Sequence, residues 1–213
     1  MRCAISIHHT FDYSEIIPWR KRMRRKALII GCLVMLLSAA AMGQGRLVKG
    51  IKVGQNLAML SGSDLPSNIE HRTALTGGIA IEINILTLLH IEMDLLYSPQ
   101  GLKIINGEEW RLNYFSLPVV MKKKFLPLGI HPYLLAGLEF NYLLSAKYGD
   151  ENIKDDIVRQ DMCVLIGGGI EFSIFGKGVH AEGRYKMGLD SIYENAEKGA
   201  YHRVTQVLFG FLI

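Results

Sequence analysis

Between Gly178 and Asp190 every second residue from His180 could do chemistry: His180, Glu182, Arg184 and Lys186. A strand has period two, so this spacing puts all four on one face. It leaves Val179, Ala181, Tyr185, Met187 and Leu189 on the other. The device recurs elsewhere. His90, Glu92 and Asp94 alternate with Ile91, Met93 and Leu95, and Glu82 lies between Ile81 and Ile83. Lys52, Glu139 and Glu171 each sit between two apolar neighbours, and Asp161 opens a similar run.

Such a set could serve acid–base catalysis, metal binding, ion passage or mutual neutralisation. His180 and Glu182 share a face and could form an acid–base pair. However, His131, His180 and His202 lie apart, without metal-ligand spacing. Gly167-Gly168-Gly169 and Gly176-Lys177-Gly178 lack the phosphate-loop pattern and its strand-to-helix setting. No nucleophile-elbow sequence occurs. Ser191 and His202 could be imagined as a lipid-modifying pair at a membrane edge, but no further catalytic pattern surrounds them. The sequence therefore predicts no enzyme, no catalytic residue, no metal centre and no cofactor. The expected role of Lys52, Glu82, His90, Glu92, Asp94, Glu139, Asp161, Glu171, His180, Glu182, Arg184 and Lys186 is an interior polar network. Buried charges must be paired or hydrated. A salt-bridged plug is the expected form, with a narrow ion path as the alternative.

The elements that must carry these faces follow from the alternation. Strands are expected over 47–59, 72–86, 88–98, 110–124, 131–146, 158–175, 178–190 and 201–213. The fourth alternates poorly, and Pro118 predicts a bulge or a distorted edge there. The connections run long, short, long, short, long, short, long. The short ones fall around Thr87, at Pro127–Gly129 and at Gly176-Lys177-Gly178. This is the pattern of an eight-stranded antiparallel up-and-down transmembrane β-barrel, with long loops outside the cell and short periplasmic turns.

Alternation alone also fits a soluble barrel whose apolar face points inward. Three features favour lipid outside. Glycines (Gly54, Gly78, Gly137, Gly167, Gly169, Gly188, Gly210) crowd the polar face, as the narrow interior of eight strands requires. Tyr97, Trp110, Tyr142, Phe172, Phe175, Tyr193 and Tyr201 cluster near strand ends, as interface girdles do. The last strand carries Phe209 and Phe211, like the C-terminal assembly signal of outer-membrane barrels. Outer membrane lipid and the barrel assembly machinery are thus expected partners. The Lys122-Lys123-Lys124 run is expected as a solvated periplasmic rim against lipid phosphates, or as a contact for a membrane or periplasmic protein. The acidic loop residues Asp64, Glu108, Glu109, Asp150, Glu151, Asp155 and Asp156 are expected to be solvated, with weak binding of divalent cations as the alternative.

The N-terminal region reads differently. Arg24, Arg25 and Lys26 precede an apolar run from Ala27 to Leu37, and Ala41-Met42-Gly43 has the form of a cleavage site. The run is shorter than the ~20 residues of a spanning helix. Expected boundaries are 1–22 as an extension upstream of a true start at Met23, 23–43 as a signal peptide, and 44–213 as the barrel. Ile29-Ile30-Gly31-Cys32 only loosely resembles a lipoprotein box. The leader holds seven of the 24 Lys and Arg and two of the 20 Asp and Glu. The rest carries 17 against 18, a net charge of −1, so the basicity argues nothing for nucleic acid. Of three cysteines only Cys163 lies beyond the leader, which leaves no internal disulfide.

Four segments add a resemblance. Leu112-Asn113-Tyr114-Phe115-Ser116-Leu117-Pro118 resembles the Leu-Asn-Tyr-Leu-x-Ile-Pro segment of the PorT-like outer-membrane β-barrel family of Bacteroidetes. Leu95-Leu96-Tyr97-Ser98-Pro99-Gln100-Gly101 looks like its strand-three ending. Gly50-Ile51-Lys52-Val53-Gly54 is similar to its opening strand, and Glu182-Gly183-Arg184-Tyr185-Lys186-Met187-Gly188-Leu189 to its penultimate strand. The resemblance covers the chain from about Gly50. It implies a membrane barrel without shared enzymatic activity, in a family whose named member is associated with type IX secretion and gliding. The expected function is a non-enzymatic bacterial outer-membrane barrel, a structural or interaction component of a secretion or surface assembly. A small pore or ligand-binding barrel is the alternative.

Overall fold

The computed structural model describes residues 47–62, 69–104, 109–125, 129–155, 157–189 and 200–213. They belong to the unit Gly45–Ile213. The leader 1–43 lies outside the described residues, as do Asp64, Glu108, Pro127, Asp156, Asp190, Ser191 and Tyr193.

The strands are β1 (Leu47–Gly62), β2 (Ile69–Leu86), β3 (Leu89–Ile104), β4 (Glu109–Lys124), β5 (Ile130–Tyr148), β6 (Glu151–Asn152), β7 (Gln160–Ile174), β8 (Lys177–Gly188) and β9 (Ala200–Leu212). The sheet order is β4-β3-β2-β1-β9-β8-β7-β5, and β4 also pairs with β5, so the sheet closes. Every ladder is antiparallel. The two-residue β6 only prolongs the β5 ladder, through Lys147↔Asn152 and Tyr148↔Glu151. The result is an eight-stranded barrel without a free edge. At the seam, Lys49 and Ile213 exchange backbone hydrogen bonds at 3.1 and 2.6 Å.

The apolar face is the outer one. Val53 is 61% exposed and Leu134 60%, while Lys52 and Glu139 are fully enclosed. An inverted barrel would hide the former and wet the latter. The register explains the interior glycines. Lys52 pairs with Gly78 on β2 and with Gly210 on β9. Arg184 and Glu182 face Gly167 and Gly169 on β7. A long ionic side chain folds into the lumen because the cross-strand position is empty. At Gly210 the fit is closed to anything larger, since an added Cβ would lie 2.1 Å from the His180 ring.

Four expectations are corrected. β4 alternates well: Leu112, Tyr114, Ser116, Pro118 and Val120 are buried, while Arg111, Asn113, Phe115, Leu117 and Val119 are not. Its apolar residues fall on both faces because the lumen also takes apolar residues. Pro118 is neither at an edge nor at a bulge. The β3–β4 ladder is unpaired between Met93↔Val119 and Leu96↔Ser116 without changing register. Proline lacks the N–H that the ladder would use there. The irregularity of β4 against β5 lies instead between Asn113 and Tyr114. The hairpin between β7 and β8 turns on Phe175-Gly176, with φ of 50° and 77°, and Lys177 and Gly178 already belong to β8. Finally, Trp110 packs against an apolar cluster inside the barrel mouth rather than standing in a lipid-facing girdle.

Candidate functional site: the closed lumen

Strand pairing stacks the interior side chains in layers, beginning at the end with the short turns. There Lys124 bonds Glu82 and Glu171, both at 2.9 Å. His90 Nδ1 lies 2.6 Å from Asn84 and 3.0 Å from Glu82.

The next layer is the densest. Lys52 Nζ contacts Glu92 at 2.5 Å, Glu182 at 2.8 Å and Asp94 at 3.3 Å. The Arg184 guanidinium contacts the same three carboxylates, Glu182 at 2.6 Å, Asp94 at 2.7 Å and Glu92 at 2.9 Å. Lys122 joins Glu92 at 2.7 Å and Glu82 at 3.1 Å, and lies 4.6 Å from the Tyr133 ring centre. Tyr133 donates its hydroxyl to Glu182 at 2.8 Å. Glu92, Asp94 and Glu182 are close enough together to ligate one metal ion. Two side-chain cations, Lys52 and Arg184, already touch all three. The three carboxylates are tied together by this lattice of salt bridges.

Further along the axis the lumen turns from ionic to polar to apolar. Lys186 binds Glu139 at 3.0 Å. Asn56 donates to Ser98 at 2.9 Å and accepts from Gln206 at 2.7 Å, and Ser116 donates to Asn141. Tyr114 and His202 meet at 3.1 Å. Beyond them, Leu112, Leu143, Ala146 and Ile157 form a cluster with Tyr114, against which Trp110 and Ile153 pack. The lumen is filled by interlocking charges at one end and by hydrocarbon at the other.

Of the residues expected in the interior network, Lys52, Glu82, His90, Glu92, Asp94, Glu139, Asp161, His180, Glu182, Arg184 and Lys186 are buried, and Glu171 is partly so. The structure joins all but Glu139, Asp161, His180 and Lys186 through the contacts of the first two layers. Asp161 lies next to Cys163, whose Sγ is 3.5 Å away. His180 and Glu182 do not form an acid–base pair. Neither ring nitrogen of His180 makes a hydrogen bond, and Glu182 is engaged by Lys52, Arg184 and Tyr133. The lysine run is corrected too. Lys122 and Lys124 are interior, and only Lys123 is exposed. Their spacing of two, on the same face as Ser116 and Pro118, was the signal. Tyr133, Tyr114, His202 and Gln206 also belong to the lumen, and their parity within β5, β4 and β9 could have placed them.

The family profile described as "Outer membrane protein beta-barrel domain" matches residues 40–194. The chain belongs to that family. No curated protein matches it by sequence. Among solved structures, the outer membrane protein beta-barrel is similar to neisserial surface protein A, with 15% identity over 78% of this chain and 96% of that one, at a TM-score of 0.54. It has weaker likenesses to Ail, the attachment invasion locus protein of Yersinia pestis (11% identity, 78% and 98% covered, TM-score 0.46), and to the outer membrane enzyme PagL (12%, 78% and 98%, 0.37). At these identities the likeness is one of fold. Membership of that family places the protein in the bacterial outer membrane. The end with the long connections then faces outward and the short turns face the periplasm.

Proposed function

We propose that this barrel is a non-enzymatic, non-conducting component of the outer membrane, acting as a scaffold or interaction partner in a secretion or surface assembly. One observation carries the reading: the lumen is occupied by its own side chains. A cation entering from the periplasm would have to displace Lys52 or Arg184 from three carboxylates each. At the far end it would meet Leu112, Leu143 and Ile157. A molecule without a passage acts through its outer wall, its rims and its loops. The segments at Gly50–Gly54, Leu95–Gly101, Leu112–Pro118 and Glu182–Leu189 support a PorT-like member and, through it, an assembly of the type IX kind.

Two measurements test this. The purified barrel in planar bilayers is expected to give no steady single-channel current. A steady unitary conductance would favour the small-pore reading instead. Mild-detergent extraction of native outer membranes, followed by affinity capture and mass spectrometry, is expected to retrieve one envelope protein in stoichiometric amount. Recovery of the barrel alone, under conditions that preserve a known outer-membrane complex, would remove the assembly role.

A further inference from the structure

On the outer surface, near the end with the long connections, one cross-strand pair breaks the rule of opposite charges. Arg111 on β4 is directly opposite Lys147 on β5. Both point away from the lumen, as the buried Leu112 and Ala146 beside them show. Like charges facing each other on neighbouring strands are destabilising. On the other side of β4 the rule is followed, with Lys103 of β3 opposite Glu109, whose carboxylate pairs with Arg72. Lys147 has no ion-pair partner among the described residues. Arg111 has only Asp150, at 3.9 Å and fully exposed, and a bond to the Gly149 carbonyl. An exposed pair of that length is worth little. Lys154 reaches back to donate to the Leu144 carbonyl at 2.7 Å. Immediately toward the membrane midplane the same outer face presents Leu144, Phe115 and Tyr142, all exposed.

Two facing cations above an apolar strip, on the extracellular side of a membrane-spanning wall, suit an amphipathic anion whose headgroup sits at that height. We propose that Arg111 and Lys147 hold a phosphate group of an outer-leaflet glycolipid, with its acyl chains lying along Phe115, Tyr142 and Leu144. A guanidinium offers a bidentate fork to phosphate and an ammonium adds a point charge. The ligand thereby relieves a repulsion that the protein alone leaves standing. Phospholipid of the periplasmic leaflet carries phosphate too, but at the opposite end of the strands.

The barrel purified from outer membranes is placed in detergent micelles, and its unfolding temperature is followed by electrophoretic mobility. Diphosphorylated lipid A, the same lipid stripped of its phosphates, and phosphatidylglycerol are added in turn. The expected result is stabilisation by the phosphorylated glycolipid alone. The R111Q/K147Q variant is expected to bind it at least about tenfold more weakly, since two charge-assisted bonds are lost. A second variant, K147E, is expected to be more stable than the wild type without lipid, because it gives Arg111 an opposite neighbour, and to lose the response to lipid A. Equal stabilisation by phosphatidylglycerol or by phosphate-free lipid A would overturn the proposal. So would a K147E protein that is no more stable than the parent, or one that still responds.

Discussion

Replacing Lys52 with methionine is the most direct probe of the ionic layer. Methionine keeps most of the volume and removes only the charge. In the native lumen Lys52, Lys122, Lys124 and Arg184 stand against Glu82, Glu92, Asp94, Glu171 and Glu182, four cations against five anions. Lys52→Met leaves three against five. The two short bonds it deletes, to Glu92 and Glu182, are each of a kind worth about 1.5–3 kcal/mol. Removing one partner from a buried ionic group costs roughly 3–5 kcal/mol because the other charges stay buried. The two routes overlap at about 4 kcal/mol. Urea unfolding in detergent micelles, read by tryptophan fluorescence and by heat-modifiable electrophoresis, measures it. Asp94→Asn, added to Lys52→Met, restores the original charge imbalance. The double variant is expected to recover about half of the loss through coupling within one network. A cost under about 1 kcal/mol for Lys52→Met would mean that the layer is hydrated and loosely held. Strict additivity of the two substitutions would equally refute the idea of a shared lattice.

Other outcomes follow from the same geometry. Gly210→Val is expected to destabilise the barrel by about 1–3 kcal/mol through collision with the His180 ring. The double variant with His180→Ala should regain most of that in the same urea assay. Lys122→Met is expected to cost about 3 kcal/mol and Lys123→Met less than about 0.5, although the residues are adjacent, because only the first is buried among carboxylates. Equal effects would contradict the assignment of faces. Phe175→Asn is expected to raise stability by about 1 kcal/mol, since Phe175 holds a positive φ at a two-residue hairpin and asparagine tolerates it better. Loss of stability would instead make Phe175 a membrane anchor at the periplasmic rim.

Barrel, strand number and the outward direction of the apolar faces were legible because period-two alternation is strong in β1, β5, β8 and β9. There lipid takes one face and charge the other. The reading weakened where both faces are apolar. Val120, Leu135 and Leu165 are interior residues of β4, β5 and β7, and Leu112 and Tyr114 cap the lumen. Hydropathy cannot tell such residues from lipid-facing ones, and only the parity of the flanking residues does. The lysine run was misplaced for a related reason. Three consecutive cations look like a solvated block, yet a strand sends the first and third inward. Which carboxylate meets which cation was not legible at all. Lys52 and Glu182 are 130 residues apart, and their meeting depends on the registers of two ladders.

That separation bears on how the barrel reaches the bilayer. Lys52 and Asn56 on β1 find Glu182 and Gln206 only after β9 has zipped onto β1, the last ladder that chain order permits. Until then the ammonium and its counter-ions need water, and a sheet gaping at that join would drag them among acyl chains. Zippering and membrane entry should therefore share a single rate constant when refolding into vesicles is followed by probes on each. A half-closed intermediate stable in lipid would separate them. The charges that stopper the finished cylinder thus act, during biogenesis, as a proofreading step against incomplete ones.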